Sequence, residues 1–555
     1  MAHKPADLIV HNADVTTFDP DQPKAAAVAI LGNAILAVGT DEDVLKLRGD
    51  RTKMIDARGA TLLPGLYESH MHLYAGALTL RRLNLTSIFG EDALRSAITE
   101  FAGTNAGDEI LMGFGANYTM LGKDRAITRH DLDAIVPDRP FFMMSVDFHS
   151  GWANTRALEM AGILKGKDVG SNGEILMGED GLATGELHEH GAIGPVVELC
   201  AESKRETAGL VGYEPQDVTE EEREEDLKIM LEGMEHCASL GITKIINMDG
   251  NRYQLELVAE LERRGTLPCR VEIPYRIAVE YEGDPIAEAT ALTEEFKTDK
   301  ISCGRVKMFM DGVFDSHTAL RLEDYPDRPG FRSVPLVAAD TFKDLCVGAD
   351  KNGLQISVHA VGDGAVRAVL DGYQAARDAN GPRDSRHRVE HIDNIHPDDI
   401  ERLVDLRAVA SMQPVHPPGS AGLPLEPTTT LMTRKNWPLA FAWRRIKDAG
   451  VPICFATDWP TAPLDPLFAM QCAMTRKPWA PDVPDQRLAL SEVLEAYTRK
   501  GAYAAFDEDR LGCLKPGFLA DLTLIEGDLE TLGQEGDLSV KVGLTICDGK
   551  VTYRA

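Results

Sequence analysis

The 555-residue sequence predicts an α/β fold built around a (β/α)8 TIM barrel. Three observations carry that prediction. Short apolar segments alternate with helical stripes between residues 219 and 458. The apolar segments are hydrophobic throughout, as parallel strands buried on both faces must be. With the strand 61–67 they number eight, and eight β/α alternations define a barrel.

The first strand runs into "LLPGLYESHMHLY", residues 62–74. The helix from Thr219 opens with a capping box, Thr219 with Glu222, and carries the apolar stripe Leu227, Met230, Leu231, Met234 and Ala238. Its acidic run 220–226 suits the helix dipole, and Gly241 ends it before the strand "ITKIINM". Helix 253–264 leads to "RVEIPYRI", followed by the strand "RVKMFM". Helix 340–351 precedes "LQISVHA", helix 364–379 precedes "HRVEHI", helix 397–405 precedes "AVASMQP", and helix 437–449 precedes "VPICFATD".

At both ends of the chain the period falls to about two, with Gly and Asn at the turns and an Asp-Gly signal at 548–549. Residues 1–63 and 512–555 are therefore expected to close one composite small β-domain. The barrel domain then spans 64–511. Within it, 75–225 is too long for a single βα connection and must contain an inserted subdomain. Strands are expected there in "DEILMGFGAN" and "PFFMMSVDFHSGW".

A net charge of −30 argues against a nucleic-acid partner, since phosphates would go unneutralised. It reads instead as a surface that favours solubility. Nine cysteines with no CxxC pair point to a reducing, cytoplasmic compartment. The opening "MAHKPADLIVHNADV" lacks the apolar core of a signal peptide, and no apolar run approaches the ~18 residues of a membrane span. No membrane partner is expected.

Active sites of such barrels lie at the C-terminal strand ends. Strand one brings His70 and His72, at i and i+2 and so on one face. Strand four carries Lys307, followed by Asp311. Strand five ends at His359, strand six at His391, strand seven near Gln413 and His416, and strand eight at Asp458. Singly, each has an ordinary explanation: a satisfied histidine, a capping aspartate, a lysine whose stem is buried. Together, so many buried polar groups cost too much unless a cation pairs with them.

Imidazole and carboxylate ligands without thiolate suit zinc, with manganese, iron or nickel as alternatives, as one ion or two. A buried lysine has a lowered pKa and can become neutral. Such an amine adds carbon dioxide, and the resulting carboxylated lysine can bridge two metals. Coordination lowers the pKa of water to about 7, and Asp458 would take its proton and pass it to the leaving group.

These residues resemble the amidohydrolase superfamily, in the branch similar to N-substituted formamide deformylase (amidohydrolase family 3). The motifs that carry the resemblance are "LLPGLYESHMH", "HSGWANTRAL", "GLATGELHE", "VKMFMDGVFDSHTA", "VHAVGDGAV", "RVEHI", "SMQP" and "ATDWP". The resemblance implies a composite β-sandwich, a metal-bearing barrel and hydrolysis of a C–N bond outside peptide chains. It implies ligation by His70, His72, Lys307 as carboxylysine, His359, His391 and Asp458, with Asp458 also the catalytic general base. A homodimer is an expectation from resemblance alone.

Substrate contacts are expected from His149 and Trp152 in "DFHSGWANT", where a helix cap at Ser150 or Asn154 would explain the polar residues but not the His–Trp pair. Asp311 lines the pocket or makes a plain turn. His416 polarises the substrate carbonyl or is a loop histidine, and Trp459 walls the pocket. The loop 416–436, rich in Gly, Pro and Thr, reads as a lid. The expected activity is metal-dependent hydrolysis of a small amide, N-acyl or N-formyl compound. A lactone or ester hydrolase, or a deaminase, would use the same residues. A non-catalytic scaffold would have lost ligands, and all six positions are filled.

Overall fold

The computed structural model describes residues 4–555 except 106, 108, 123–124, 146–149, 170–172, 282 and 537. The chain forms two compact units: Met1–His72, Val211–Tyr213 and Met234–Ala555 in one, Leu73–Leu210 and Glu214–Gly233 in the other.

The first unit is α/β. Leu66–Met71, Ile242–Asn247, Arg270–Glu272 and Ile301–Ser302 pair in that order, all parallel. Tyr275–Arg276, Arg305–Phe309, Gln355–Ala360, Arg388–His391, Val409–Met412 and Ile453–Phe455 form a second parallel run. The segment expected as one strand at "RVEIPYRI" is thus shared between the runs. Pro274 has no N–H to give the ladder, which explains the break. The ends of the first and last strands are also tied: the Asp458 N–H donates to the His70 carbonyl at 2.9 Å, and the His72 N–H to the Trp459 carbonyl at 2.8 Å.

Between the strands run Arg252–Arg264, Ala339–Lys351, Asp363–Asn380 and Pro397–Asp405, close to their expected positions. The helix expected at 437–449 is divided. A 3-10 turn, Arg434–Leu439, contains Pro438, and the α-helix Trp443–Asp448 begins only after Phe441, whose φ of 46° cannot continue a right-handed helix.

Two further sheets lie in this unit. One orders Ala34–Gly39, Ala27–Leu31, Leu8–His11 and Lys53–Asp56. The other orders Lys550–Arg554, Lys541–Cys547, Leu522–Glu526, Thr61–Pro64, Asp14–Thr16 and Lys24–Ala25, and so combines strands from both ends of the chain. Val10, Val28, Ile30 and Ile55 from the first pack with Leu62, Leu522, Leu544 and Ile546 from the second. The expected single strand 61–67 is therefore two strands in different sheets, Thr61–Pro64 and Leu66–Met71. Gly65 is the pivot. A Cβ there would lie 2.1 Å from the Thr243 Oγ1. Thr243 is fully buried and cannot retreat. Gly65→Ala is expected to destabilise the protein by about 1–3 kcal/mol through overpacking, read as a lowered urea midpoint; an unchanged midpoint would refute the pivot role.

The second unit is built on a mixed sheet ordered Glu174–Met177, Ala183–His188, Ser150–Ala153, Phe141–Ser145, Leu111–Ala116 and Leu83–Asn84. The hairpin Glu174–Met177 with Ala183–His188 was not anticipated from sequence. Its strands are short, four and six residues, and Gly185 with φ of 111° interrupts the second. Asn154 caps the helix Thr155–Met160, its side chain accepting the Ala157 N–H. Among the described residues no helix is long and apolar enough to cross a membrane. All nine cysteines are free thiols.

Candidate metal centre

The end of strand Leu66–Met71 sets two imidazoles side by side. The His70 Nδ1 faces the Glu390 Oε2 at 2.7 Å, and the His72 Nδ1 faces the Asp249 Oδ2 at 2.8 Å. Each carboxylate accepts a hydrogen bond from the Nδ1–H, so each ring presents an Nε2 lone pair. Both Nε2 atoms point at the Asp458 Oδ1, at 3.3 Å from His70 and 3.5 Å from His72. The His391 Nδ1 is held by the Gln413 Oε1 at 2.9 Å. Its ring centre lies 4.7 Å from that of His70 and 4.4 Å from that of His359. Ligating atoms of His70, His391 and Asp458 all lie within 4.8 Å of one another.

Backbone geometry contributes to this convergence. His391 and Ile392 have φ of 75° and 54°, and Asp458 has φ of 63°. Left-handed backbone is rare for such residues and clusters at functional sites. Because His391 departs from the strand's alternation, both Glu390 and His391 can serve the same centre.

The His359 Nε2–H donates to the Gly312 carbonyl at 3.2 Å, which leaves Nδ1 as the free lone pair. Burial, with Lys307 close by, holds its pKa down to about 3, so the ring is neutral. Lys307 is fully buried and its Nζ has no hydrogen-bond partner. Burial lowers its pKa to about 8, against the pull of Glu390 and Asp458. Asp458 is raised by burial, but His70, His391 and His72 outweigh this and hold it well below the usual carboxylate range.

The fit of a cation can be judged from buried polar atoms that lack partners. Among the described residues these include the His70 Nε2, the Lys307 Nζ, the Asp458 Oδ1 and the His416 Nε2. Each unmatched buried group costs about 1–3 kcal/mol, and four in one hollow would be untenable without an ion. The donor set of imidazoles and a carboxylate is the one divalent metals take.

The substrate-facing candidates are divided. His416 lies over the centre, its Nε2 3.7 Å from the Asp458 Oδ2 and its ring nearly parallel to that of His391. Trp459 is buried with its ring 5.7 Å from that of His236. Asp311 is otherwise committed. Its carboxylate accepts the backbone N–H groups of Leu320, Val361 and Gly362 and braces two loops rather than facing a substrate. Burial raises it to about 7. Trp152 sits in the apolar core of the second unit with Leu132, Phe141 and Met143, its ring edge-on to Tyr118. His149 lies outside the described residues.

Sequence reasoning passed over Asp249 and Glu390. Asp249 stands at the end of "ITKIINMD", so the strand-end criterion that found His359 would also have found it. Glu390 was hidden by the rule that neighbouring strand residues face opposite ways.

Parallel strands thus bring histidines, a lysine and an aspartate to one hollow at their C-terminal ends, a donor set that could hold a metal ion. The chain belongs to the amidohydrolase family, whose profile matches residues 53–553, and is a hydrolase acting on carbon–nitrogen bonds. It is 27% identical over 563 residues to Protein LONG AFTER FAR-RED 3 of Arabidopsis thaliana, covering 99% of this chain and 92% of that one. It is 25% identical over 563 residues to N-substituted formamide deformylase of Arthrobacter pascens, covering 99% and 98%. An uncharacterized metal-dependent hydrolase from Pyrococcus furiosus has the same fold, with a TM-score of 0.72 at 24% identity over 94% of this chain and 99% of that one.

Proposed function

We propose that the protein hydrolyses a small non-peptide amide, of the N-acyl or N-formyl type, at the hollow formed by His70, His72, Lys307, His359, His391 and Asp458. The observation that carries this reading is the set of buried, unpartnered atoms there, with the Nε2 atoms of His70, His72 and His416 3.3–3.7 Å from the Asp458 carboxylate. The proposal includes an eight-stranded barrel closed between Leu66–Met71 and Ile453–Phe455, supported by the Asp458–His70 and His72–Trp459 backbone bonds. It also includes a β-sandwich of the two end-derived sheets, supported by their common core.

Bound there, one or two divalent ions, zinc first, would acidify water and polarise the amide carbonyl. The chain's own groups do the rest. Glu390 and Asp249 fix the tautomers of His70 and His72. Asp458 takes the proton of the attacking water at its free Oδ1 and delivers it to the leaving nitrogen. His416, above Asp458, donates to the carbonyl oxygen as charge develops. The low pKa of Lys307 supplies the neutral amine that carboxylation requires. The free thiols agree with a reducing cytoplasm.

The test is a panel of N-formyl and N-acyl amines, assayed for release of free amine. Turnover is expected to disappear on chelation and to return on adding zinc or manganese. Turnover that survives complete metal removal, or confined to lactones, would reject the proposal.

A further inference from the structure

His416 stands over Asp458, yet its own side chain does little to hold it there. The Nε2 has no hydrogen-bond partner, and the ring stacks on that of His391 with 6.0 Å between centres. Its place is therefore set by its backbone. The His416 N–H donates to the Gln413 carbonyl at 3.2 Å, the long end of the ordinary range. Pro417 and Pro418 follow. Proline locks φ at both positions, and a residue before proline is confined to extended backbone. His416 and the Pro418 carbonyl are thus joined by a stiff arm. Beyond it the loop turns toward solvent: Gly419, Ala421 and Gly422 have φ of 83°, 52° and 77°, and Leu423 and Leu425 are exposed.

The arm is tied down by an indole. The Trp479 Nε1–H donates to the Pro418 carbonyl at 2.8 Å. Trp479 follows the strand Ile453–Phe455 and the helix Pro466–Thr475, so this bond joins the loop that bears His416 to the connection that bears Asp458. Its ring is fixed from several sides. Trp437 and Phe441 stand edge-on to it at 5.7 Å and 6.1 Å. The Arg476 guanidinium lies 5.9 Å from its centre and is itself held, donating to the Phe441 carbonyl at 2.7 Å and the Ala440 carbonyl at 3.2 Å. Buried indoles ordinarily find a partner for their N–H. The adjoining Trp437 does not, and its Nε1 bonds nothing. The loop's other ties, Thr428 to Asp315, Arg434 to Asp482 and Lys435 to Glu323, lie at its far end.

We infer that Trp479 is a positioning residue for His416: by holding the Pro418 carbonyl it keeps that imidazole over the Asp458 carboxylate, where it meets the substrate carbonyl. This rests on the donor role proposed for His416 and adds the group that aims it.

The experiment uses the full-length, metal-loaded protein and the N-formyl amine it turns over fastest. Wild type is compared with Trp479→Phe, which keeps a ring and loses the N–H, and with Trp437→Phe, which loses an N–H that bonds nothing. His416→Ala is measured alone and combined with Trp479→Phe. Trp479→Phe is expected to lower kcat by about 10-fold or more and to leave KM within about twofold, since a slightly misplaced group costs up to about 100-fold. Trp437→Phe should match wild type. In the His416→Ala background Trp479→Phe should change nothing further, because groups that act as one unit are not additive. Hydrogen exchange over residues 413–423 reads the tie without substrate. The amides of His416, Gly419 and Ser420 are all bonded within that stretch. They should exchange about 10-fold faster in Trp479→Phe and at the wild-type rate in Trp437→Phe. Should Trp479→Phe not fold, Trp479→Leu replaces it. Unchanged exchange, an unchanged kcat, or a further rate loss in the His416→Ala background overturns the proposal. So does an equal loss in Trp437→Phe. If no amide is turned over but exchange rises in Trp479→Phe alone, the tie stands and the amide-hydrolase reading fails.

Discussion

Asp458→Asn is expected to lower kcat by about 10^4-fold, at the upper end of what a positioned acid–base group supplies. The substitution keeps the shape and removes the charge. The Oδ1 sits 3.3 Å and 3.5 Å from the Nε2 atoms of His70 and His72 and has no partner of its own. Its backbone N–H is already bonded to His70, so the strand end stays in place without the carboxylate. The neighbouring imidazoles hold Asp458 well below the usual carboxylate range, which favours the carboxylate form that a base requires. Steady-state kinetics beside elemental analysis of bound metal read the two roles separately. A rate loss below tenfold with metal retained would remove Asp458 from the chemistry.

Arg388→Met should destabilise the fold by about 3–5 kcal/mol, the cost of leaving a buried carboxylate without its cation. The Arg388 Nε lies 2.8 Å from the Glu390 Oε1 and its Nη2 lies 2.9 Å from the Oε2, both side chains fully buried. The same Nη2 reaches the Ser69 carbonyl at 2.7 Å and the Ser411 Oγ at 2.8 Å, tying three strands together. Glu390 in turn orients His70. The variant should therefore also bind metal 10–100-fold more weakly, about the penalty for losing the group behind a ligand. Urea denaturation and chelator competition measure the two effects. Combining Arg388→Met with Glu390→Leu should recover most of the stability but not the metal affinity, since an apolar pair of similar volume replaces a buried ion pair at little net cost. A loss of under 1 kcal/mol in the single variant would contradict this account.

Much of this was legible in the sequence because the relevant signals are local. His70 and His72 declare a shared face by their spacing, and the helices Arg252–Arg264 and Pro397–Asp405 end near where apolar period and breakers place them. What escaped depends on non-local geometry. Nothing near Gly65 says that the chain changes sheets there; the reason is Thr243 across the gap. Nothing in "VEHI" says that His391 turns back to join Glu390; its φ of 75° does. Trp152 stands in what reads as a binding motif, and only the fold shows that its ring packs against Phe141 and Met143. Asp311 was recognised as polar and near the centre, but only the fold shows the three N–H groups that occupy it.

The pairing of Thr61–Pro64 with Leu522–Glu526 bears on the order of events during translation. The early strand leaves the ribosome with one edge open and keeps it open until nearly the whole chain has followed, a period in which unpaired edges invite misassembly. His70, just beyond it, waits less long, until Glu390 and then Asp458 have been made. The hollow around His70 is thus assembled only after synthesis has passed Asp458, long after its first two imidazoles have emerged.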